Sequence, residues 1–447
     1  MKKNQIMHIG IDDTDSVRKG CTTYIAALLI EKLEELGVRF IDYPNLIRLN
    51  PNVPWKTRGN GALCLRFQYN PIFEDEIKQR TRNVVENNSD LQSENTNPGI
   101  IFLIGNKIPQ EIRIFSKKVL QGIVDLESAI KLTEKYSCDM IGFKNCRGLI
   151  GSLGAIGEIL DCDHTYELIS YRKLRNIGKV RILDKKSVFK MDELTKPFTF
   201  NNVDLEKMRI IITPRGLDPI LFGIRGESAQ IVKKAFSIVH PGEKIERWVI
   251  FRTNQGTDAH IKKVQKLSII QPYQSILAKG IVSKNPQIIP LRHVIFSIKD
   301  DNSEVDCVAF EPTGSLRKIA RKLIVGDEVE VFGAVRKVGE EGILTINLEK
   351  INILSLYLKK KLQNPICSKC HRHLKSLGKN KGFRCDKCHE KFPDKKKEEI
   401  IVNRKIRKGL HITSARSQRH LTKPFRRYGL EKTCQERINM IDEWHRE

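Results

Sequence analysis

Three carboxylates stand within four residues, directly after the first apolar stretch of the chain. Residues 6–11 read as a short strand, and Asp12, Asp13 and Asp15 follow it. Clustered carboxylates at the end of a strand can hold a hard cation such as Mg2+. Such an ion would bridge nucleotide phosphates and offset the charge that develops during phosphoryl transfer. The motif therefore predicts a magnesium and phosphate site, with a solvated acidic turn as the alternative.

Two threonines come next, at the predicted start of a helix. Gly20 and Cys21 precede Thr22 and Thr23, and apolar residues then recur at helical spacing until Gly37. Hydroxyl and backbone N–H groups at a helix N-terminus can receive a phosphate. Either threonine could instead serve as the N-cap of the helix.

Two glycine-containing motifs could also approach a nucleotide. Lys56, Arg58, Gly59 and Gly61 place two cations and two glycines within six residues, which lets the backbone come close to an anion. A simple turn is the competing interpretation.

The second glycine motif, residues 147–157, begins with Arg147 and Gly148 and has glycine at every third position up to Gly157. Glycine costs a helix about 1 kcal/mol against alanine, so this spacing needs a reason. Close packing against another backbone and access to a nucleotide or base both remain open.

Four cysteines form two CxxC pairs: Cys367 with Cys370, and Cys385 with Cys388. Fourteen residues separate the pairs, a spacing that can close a tetrahedral Zn2+ site with thiolate ligands. All four ligands come from the protein, so the predicted zinc is structural. Four free cysteines in a reduced loop are the alternative.

The charge balance favours a polyanionic partner. The chain has 447 residues, with 79 Lys and Arg against 53 Asp and Glu. Contacts with phosphates release condensed counterions, so nucleic acid is the predicted partner and a basic surface kept for solubility is the alternative.

No apolar run approaches the ~18–20 residues that span a bilayer. An odd total of eleven cysteines, four of them in CxxC pairs, suits metal-bound thiolates in a reducing cytoplasm better than a disulfide framework. We therefore expect a cytoplasmic protein without membrane association.

The predicted strands and helices around these motifs indicate a multidomain α/β and α+β protein. Strand patterns at 40–43, 62–67 and 100–104 extend the N-terminal α/β part, and the polar stretch 83–97 is expected to be a loop. A second such stretch, 208–254, is compatible with a ferredoxin-like unit. Five short strands over 276–356, with a helix between the third and fourth, predict an OB barrel, for which a generic small barrel is the alternative. The basic C-terminal segment 396–447 is predicted to contact an RNA backbone.

Some nucleotide-binding signatures are absent from the sequence. It has no GxxxxGK[ST], no GxGxxG after a strand and no protein-kinase catalytic loop. A site that uses ATP would therefore be an uncommon one.

Taken in order, the motifs resemble one known family, the archaeal tRNA(Ile) agmatinylcytidine synthetases. The resemblance covers nearly the whole chain and rests on the acidic loop, Cys21-Thr22-Thr23, the four-cysteine ribbon and further short motifs at 48–51, 56–61, 96–99, 147–151, 223–228, 310–313 and 414–424. It implies a reaction in which ATP cleavage drives replacement of the cytosine 2-oxo group by agmatine. The implied substrate is the wobble cytidine of an isoleucine tRNA with a CAU anticodon, which then reads AUA instead of AUG.

The resemblance also implies an architecture. The expected units are an ATP-using kinase-like domain at 1–195, a ferredoxin-like domain at 196–270 and an OB domain at 271–357. A zinc ribbon at 362–395 and a basic RNA-binding tail at 396–447 complete the chain.

The roles of the site residues follow from the same resemblance. Asp12, Asp13 and Asp15 would be the catalytic and Mg2+-binding carboxylates, and Thr22 aligns with a threonine that becomes autophosphorylated. The nucleotide contacts would be Lys56, Arg58, Gly59, Gly61, Arg147 and Gly148. Two alternatives remain: a non-enzymatic protein that binds single-stranded RNA or DNA through the OB barrel and ribbon, and a small-molecule kinase with an RNA-binding appendage.

Overall fold

The structure is a computed structural model that describes residues 4–57, 59–434 and 438–447. Two sheets dominate it. A large sheet with helices on its faces contains the N-terminal part of the chain, and a barrel follows. A small cysteine-containing ribbon comes after the barrel, and the C-terminal residues then return to the large sheet.

The helices lie mainly in the first half of the chain. They are α1 Thr22–Glu34, α2 Glu74–Asn88, α3 Gln110–Gln121, α4 Leu126–Lys135, α5 Gly148–Gly157, α6 Lys185–Thr195, α7 Ala229–Ile238 and α8 Ser315–Ala320. Helix α2 corrects one expectation, because residues 83–88 are helical and not part of a loop. Ile77, Thr81 and Val85 repeat at a spacing of four and are its buried residues. The rest of α2 is polar, so its sequence looks like that of a loop.

The large sheet runs without interruption from the first α/β stretch into the second. Its strands and the short hairpin β9–β10 are β1 Gln5–Asp12, β2 Arg39–Phe40, β3 Asn45–Arg48, β4 Gly61–Tyr69, β5 Gly99–Ile104, β6 Asp139–Gly142, β7 Thr165–Arg172, β8 Thr199–Phe200, β9 Val203–Asp204, β10 Arg209–Ile210, β11 Ile220–Gly226 and β12 Ile245–Thr253. The order is β6-β5-β1-β4-β3-β12-β7-β11-β8. Parallel pairing of β3 with β12 joins the two halves.

The barrel confirms the predicted OB pattern. It contains β13 Ile261–Lys263, β14 Ser275–Ile289, β15 His293–Lys299, β16 Glu304–Ala309, β17 Glu328–Val338 and β18 Ile343–Ser355, with α8 between β16 and β17. Pairing of β14 with β15 and also with β17 curls the sheet around an apolar core. Alternating inward residues such as Val329, Val331 and Val335 fill that core.

The ribbon and the C-terminus contribute the remaining strands. They are β19 Lys360–Gln363, β20 Lys375–Ser376, β21 Phe383–Arg384, β22 Lys391–Phe392, β23 Glu398–Ile401, β24 Gly409–Ile412 and β25 His445–Arg446. Strand β24 pairs with β18 of the barrel, and β25 pairs with β12 of the large sheet. We call residues 409–434 and 438–447 the C-terminal strap, because they cross from one sheet to the other.

The strap is packed into the protein and does not extend from it as an arm. Trp444 joins the core of the large sheet, and the fully buried Arg427 binds Asp163 and Glu227 at 2.7 and 2.6 Å. Many strap cations therefore neutralise carboxylates inside the molecule, which the charge count alone does not reveal. The structure also contains a disulfide between Cys162 and Cys434, which the cysteine pattern did not predict.

The helices can also be compared with the thickness of a bilayer. Within the described ranges, none of them combines the length and the apolar composition that crossing a membrane requires.

Candidate active site

A cavity of about 330 Å³ lies where β1 ends and α1 begins. Eight of the sequence-predicted site residues line it: Asp12, Asp13, Asp15, Thr22, Lys56, Gly59, Gly61 and Arg147. Gly148 packs behind the wall and does not line the cavity. Arg58 lies outside the described residues. The structure thus brings together three regions that are far apart in the sequence, at 12–22, 56–61 and 147.

The Thr22 hydroxyl is held by the acidic loop. Both the backbone N–H and Oγ1 of Thr22 donate to Oδ1 of Asp15 at 2.8 Å, and Oγ1 of Thr14 donates to Oγ1 of Thr22 at 3.0 Å. The N-cap residue of α1 is Cys21, so neither Thr22 nor Thr23 is the N-cap. A hydroxyl that donates to a carboxylate in a cavity is the arrangement that activates an oxygen nucleophile.

Asp12 and Asp13, the other two carboxylates of the acidic loop, lie in surroundings that disfavour their anionic forms. Burial, and secondly the charge of Asp13, raises the pKa of Asp12 to about 8. Burial raises the pKa of Asp13 to about 6, although Arg147 opposes the shift through an ion pair of 2.7 Å. A buried carboxylate whose pKa is raised is stabilised as an anion when a cation binds beside it.

The three carboxylates do not form one converging ligand set, since Asp15 faces Thr22 and Asp13 faces Arg147. In the part of the chain that the structure describes, the four cysteines are the one group of three or more His, Cys, Asp or Glu ligand atoms close enough to hold a metal. Magnesium binding by all three aspartates stays a prediction.

Close packing explains Gly148 and Gly151 of α5. A Cβ on Gly151 would lie 1.9 Å from Oδ2 of Asp12, and one on Gly148 would lie 2.3 Å from the backbone nitrogen of Gly99. A Cβ on Gly154 would meet ordinary contacts, the nearest of them at 3.4 Å. The glycines therefore let the N-terminal end of α5 press directly against the acidic loop.

The opposite end of α5 is anchored by Arg66 of β4, which sequence reasoning missed. Its Nη2 donates to the carbonyl oxygens of Ile156 and Glu158 at 3.0 and 3.1 Å. Nε2 of His8 lies 2.9 Å from the carbonyl oxygen of Gly105, which leaves Nδ1 to accept from Arg66. Burial and the Arg66 charge lower the pKa of His8 to about 3, so the ring stays neutral. In the sequence, the one sign of this anchor is a single arginine within the mostly apolar strand β4.

A second network reaches the cavity from the strap. Nε of Arg225 donates to Glu167 at 3.0 Å, and Nη2 of Arg225 lies 3.0 Å from Nδ1 of His420. Burial, together with Arg48 and Arg225, holds the pKa of His420 well below its usual value. Sequence spacing gives no signal for this network, because Arg225 and His420 are 195 residues apart.

The structure confirms that the two CxxC pairs form one four-cysteine cluster. Ligand atoms of Cys367, Cys370, Cys385 and Cys388 all lie within 4.8 Å of one another. The four thiolates come from two turns of the ribbon, as the CxxC spacing requires.

Models of four protein families match the chain. They are the TiaS TCKD domain at residues 8–145, the TiaS FLD domain at 146–260, an OB-fold nucleic acid binding domain at 274–354 and the TiaS C-terminal zinc ribbon domain at 364–406. The first two models meet at residues 145 and 146 within the continuous sheet. The division at 195 and 196 that the sequence suggested remains a prediction.

Full-length relatives agree with the family models. The isoleucine-tRNA 2-agmatinylcytidine synthetase TiaS from Methanocaldococcus jannaschii is 44% identical, over 94% of this chain and 98% of the relative. The TiaS enzyme from Pyrococcus horikoshii is 41% identical, over 94% and 96%. Among solved structures, a complex of TiaS with its isoleucine tRNA and ATP is similar with a TM-score of 0.84 and 37% identity, covering 94% of this chain and 97% of that one. A complex of TiaS with the same tRNA, AMPCPP and agmatine has a TM-score of 0.83 and 35% identity, covering 94% and 96%. The chain belongs to the TiaS family of isoleucine-tRNA 2-agmatinylcytidine synthetases.

Proposed function

We propose that this protein is an ATP-dependent ligase that attaches agmatine to C2 of the wobble cytidine in an isoleucine tRNA with a CAU anticodon. The observation that carries the proposal is the Thr22 hydroxyl, held by Asp15 in a cavity beside the buried Asp12. A non-enzymatic single-strand-binding protein has no use for carboxylates buried around a hydroxyl, and its grooves are instead lined with cations and aromatic rings.

The proposed chemistry solves a leaving-group problem. The 2-oxo group of cytosine leaves poorly, so a phosphoryl group from ATP is first placed on that oxygen. The primary amine of agmatine then forms the new C2–N bond, and the C2–O bond breaks as phosphate departs. The product pairs with adenine, so the tRNA reads AUA and no longer AUG. The target base has to leave its stack to reach the cavity.

We assign the residues of the cavity to the steps of this reaction. Thr22 receives the phosphoryl group as its bond to the rest of ATP breaks, and Asp15 accepts the hydroxyl proton through the hydrogen bond described above. Thr22 then passes this phosphoryl group to the 2-oxo oxygen of the cytosine and recovers its hydroxyl proton. Arg147 at the start of α5 orients the nucleotide phosphates, which the N-terminal end of that helix also attracts. The remaining proposed nucleotide contacts are Lys56, Gly59 and Gly61, which line the cavity, together with Arg58. Gly148 lets α5 pack against Gly99 and does not reach the nucleotide.

Magnesium fits the Asp12 side of the cavity. Mg2+ usually binds one or two carboxylates together with substrate phosphates. We therefore place it on Asp12 and Asp13 first, while Asp15, which also accepts from Thr22, remains the predicted third ligand. The raised pKa values of Asp12 and Asp13 support a cation there, because it would hold both groups as anions. A bound Mg2+ would offset the negative charge of the transferring phosphoryl group.

We assign zinc to the four-cysteine ribbon and RNA binding to the ribbon and the OB barrel. Thiolates are soft ligands that select Zn2+, and such barrels and basic ribbons hold unstacked bases and backbone phosphates. A tRNA substrate supports a cytoplasmic location, which we also propose.

Replacing Cys367 by serine is expected to release the metal and to weaken tRNA binding by about tenfold, because phosphate contacts of the ribbon are lost when it unfolds. Affinity for ATP should be unchanged, since the cavity lies in the large-sheet half. Metal analysis and tRNA binding titrations measure both effects. Cys138→Ser, which removes a half-buried thiol outside the ribbon, is the matched control. Full zinc content in the Cys367 variant would contradict the assignment.

The direct test incubates the purified protein with ATP, agmatine and the CAU isoleucine tRNA. Mass spectrometry of the digested tRNA should show agmatine on the wobble cytidine only when all three are present. A tRNA with uridine at the wobble position should remain unmodified. Intact tRNA binding without any ATP-dependent mass gain would favour the single-strand-binding alternative, and phosphate turnover without tRNA would favour a small-molecule kinase.

A further inference from the structure

A second cavity, of about 370 Å³, adjoins the active site. Its cations come from three different parts of the chain: Arg48 and Lys56 from the N-terminal half, Arg336 from β17 of the barrel and Arg419 from the strap. None of the described residues that line it is acidic. We call these four side chains and the space between them the cationic cleft.

Asn52 holds the two cations that come from outside the large sheet. Nη1 of Arg336 donates to the backbone oxygen of Asn52 at 2.9 Å, and Nη2 donates to its Oδ1 at 3.3 Å. Arg419 donates to the same Oδ1. The amide of Asn52 is itself fully buried and donates to Oγ of Ser275 at 2.8 Å. The two guanidinium groups are therefore held side by side by hydrogen bonds to one buried residue.

Positive charge accumulates in the cleft. Burial lowers the pKa of Arg336 and of Lys56, and the neighbouring Arg419 lowers both further. Two of these cations share their carboxylate partners: Glu349 binds Arg419 but also His260, and Glu167 faces Arg48 but also Arg225. Like charges held together in this way are stabilised by an anion that several of them can contact.

The cleft is continuous with the active site. Arg48, Lys56, Gly59 and His420 line both cavities, whereas the aspartates and Thr22 line only the first. A nucleotide whose base enters the first cavity carries its phosphodiester groups to the rim of that cavity. The shared residues form that rim, and Arg336 and Arg419 lie beyond it.

We propose that the cationic cleft is a binding subsite for a backbone phosphodiester of the RNA, next to the nucleotide whose base enters the active site. This inference rests on the proposed function for the identity of that RNA. The cleft then explains why the barrel and the strap meet at the active site: each supplies one arginine to the phosphate. A phosphate of ATP shares the same chemistry, but a site for ATP alone would not require cations from the barrel and the strap.

The test is phosphate-ethylation interference with end-labelled CAU isoleucine tRNA, compared between wild type and Arg336→Gln. One phosphate beside the wobble nucleotide should interfere with binding when ethylated in the wild type and should lose that effect in the variant. Affinity for the tRNA should fall about tenfold, as expected for a lost charged hydrogen bond. The magnitude of the slope of log K against log salt should decrease by about 0.7, the value for one phosphate contact on a single strand. The dissociation constant for ATP should not change.

Lys337→Gln is the matched control, because Lys337 is the next residue on β17, points to the opposite face and is exposed. It removes the same charge and should leave the interference pattern unchanged. Arg419→Gln should abolish interference at the same phosphate as Arg336→Gln, and it replaces that variant if Arg336→Gln fails to fold.

An unchanged interference pattern in both arginine variants, or a weaker ATP affinity with normal tRNA binding, would overturn the proposal. These measurements depend only on the binding of tRNA and ATP and not on catalysis. A failure of agmatine attachment with the predicted interference intact would therefore count against the proposed function alone.

Discussion

Gly151→Ala is expected to lower the rate of agmatine attachment by at least about a hundredfold, because misplacing a reacting group by about 1 Å can cost that much. The added Cβ would lie 1.9 Å from Oδ2 of Asp12, 2.5 Å from its Cγ and 2.9 Å from its Cβ. Turning the Asp12 side chain about its Cα–Cβ bond relieves only the first two contacts. Either Asp12 leaves its position or α5 moves away from the acidic loop. Overpacking should also reduce the free energy of unfolding by about 1–3 kcal/mol.

The control for this substitution lies one turn further along the same helix. Gly154→Ala adds the same methyl group where the nearest contact is 3.4 Å, and alanine favours the helix by about 1 kcal/mol. Single-turnover rates and thermal unfolding of both variants measure the effect. Full activity of Gly151→Ala would show that the position of Asp12 against α5 does not matter for catalysis.

Thr22→Ala is expected to reduce modification by about 10²–10⁴-fold, the range for loss of a positioned catalytic group. Oγ1 of Thr22 lies between Asp15 and Thr14, so its removal leaves no hydroxyl at the point where Asp15 accepts a proton. Affinity for tRNA should stay nearly unchanged, because the side chain is buried in the cavity wall. Thr22→Ser keeps the hydroxyl and should retain much of the activity.

Thr81→Ala separates this effect from a loss of stability. Thr81 is also a buried helical threonine, and its Oγ1 donates to the carbonyl oxygen of Ile77 at 2.8 Å, away from the cavity. Its alanine variant should be destabilised and remain active. If Thr22→Ala lost tRNA affinity in parallel with activity, Thr22 would be structural and not catalytic.

Features with a local signature could be predicted from the sequence. The acidic loop, the start of α1 and the cysteine pairs depend on residues close together in the chain, and alternating apolar residues outlined the barrel. The polar helix α2 has so few apolar positions that its periodicity is weak.

Features that depend on distant contacts could not be predicted. The pairing of β3 with β12, the Arg66 anchor and the approach of His420 to Arg225 all need the folded chain. The glycines of α5 show the limit most clearly. Their spacing demanded an explanation, but only the 1.9 Å distance to Asp12 distinguishes close packing from an open approach to a ligand. Net charge likewise did not distinguish Arg427, buried between two carboxylates, from cations that face RNA.

We infer that the acidic loop and Thr22 position a nucleotide so that its phosphate reaches the 2-oxo group of the target cytidine. A crystal structure of the protein with the CAU isoleucine tRNA and a non-hydrolysable ATP analogue would locate both groups. We expect the phosphates between Thr22, Arg147 and Asp12, with the cytidine base turned into the same cavity. A nucleotide bound elsewhere, with Asp12 to Asp15 contacting only solvent, would show that this loop does not take part in phosphoryl transfer.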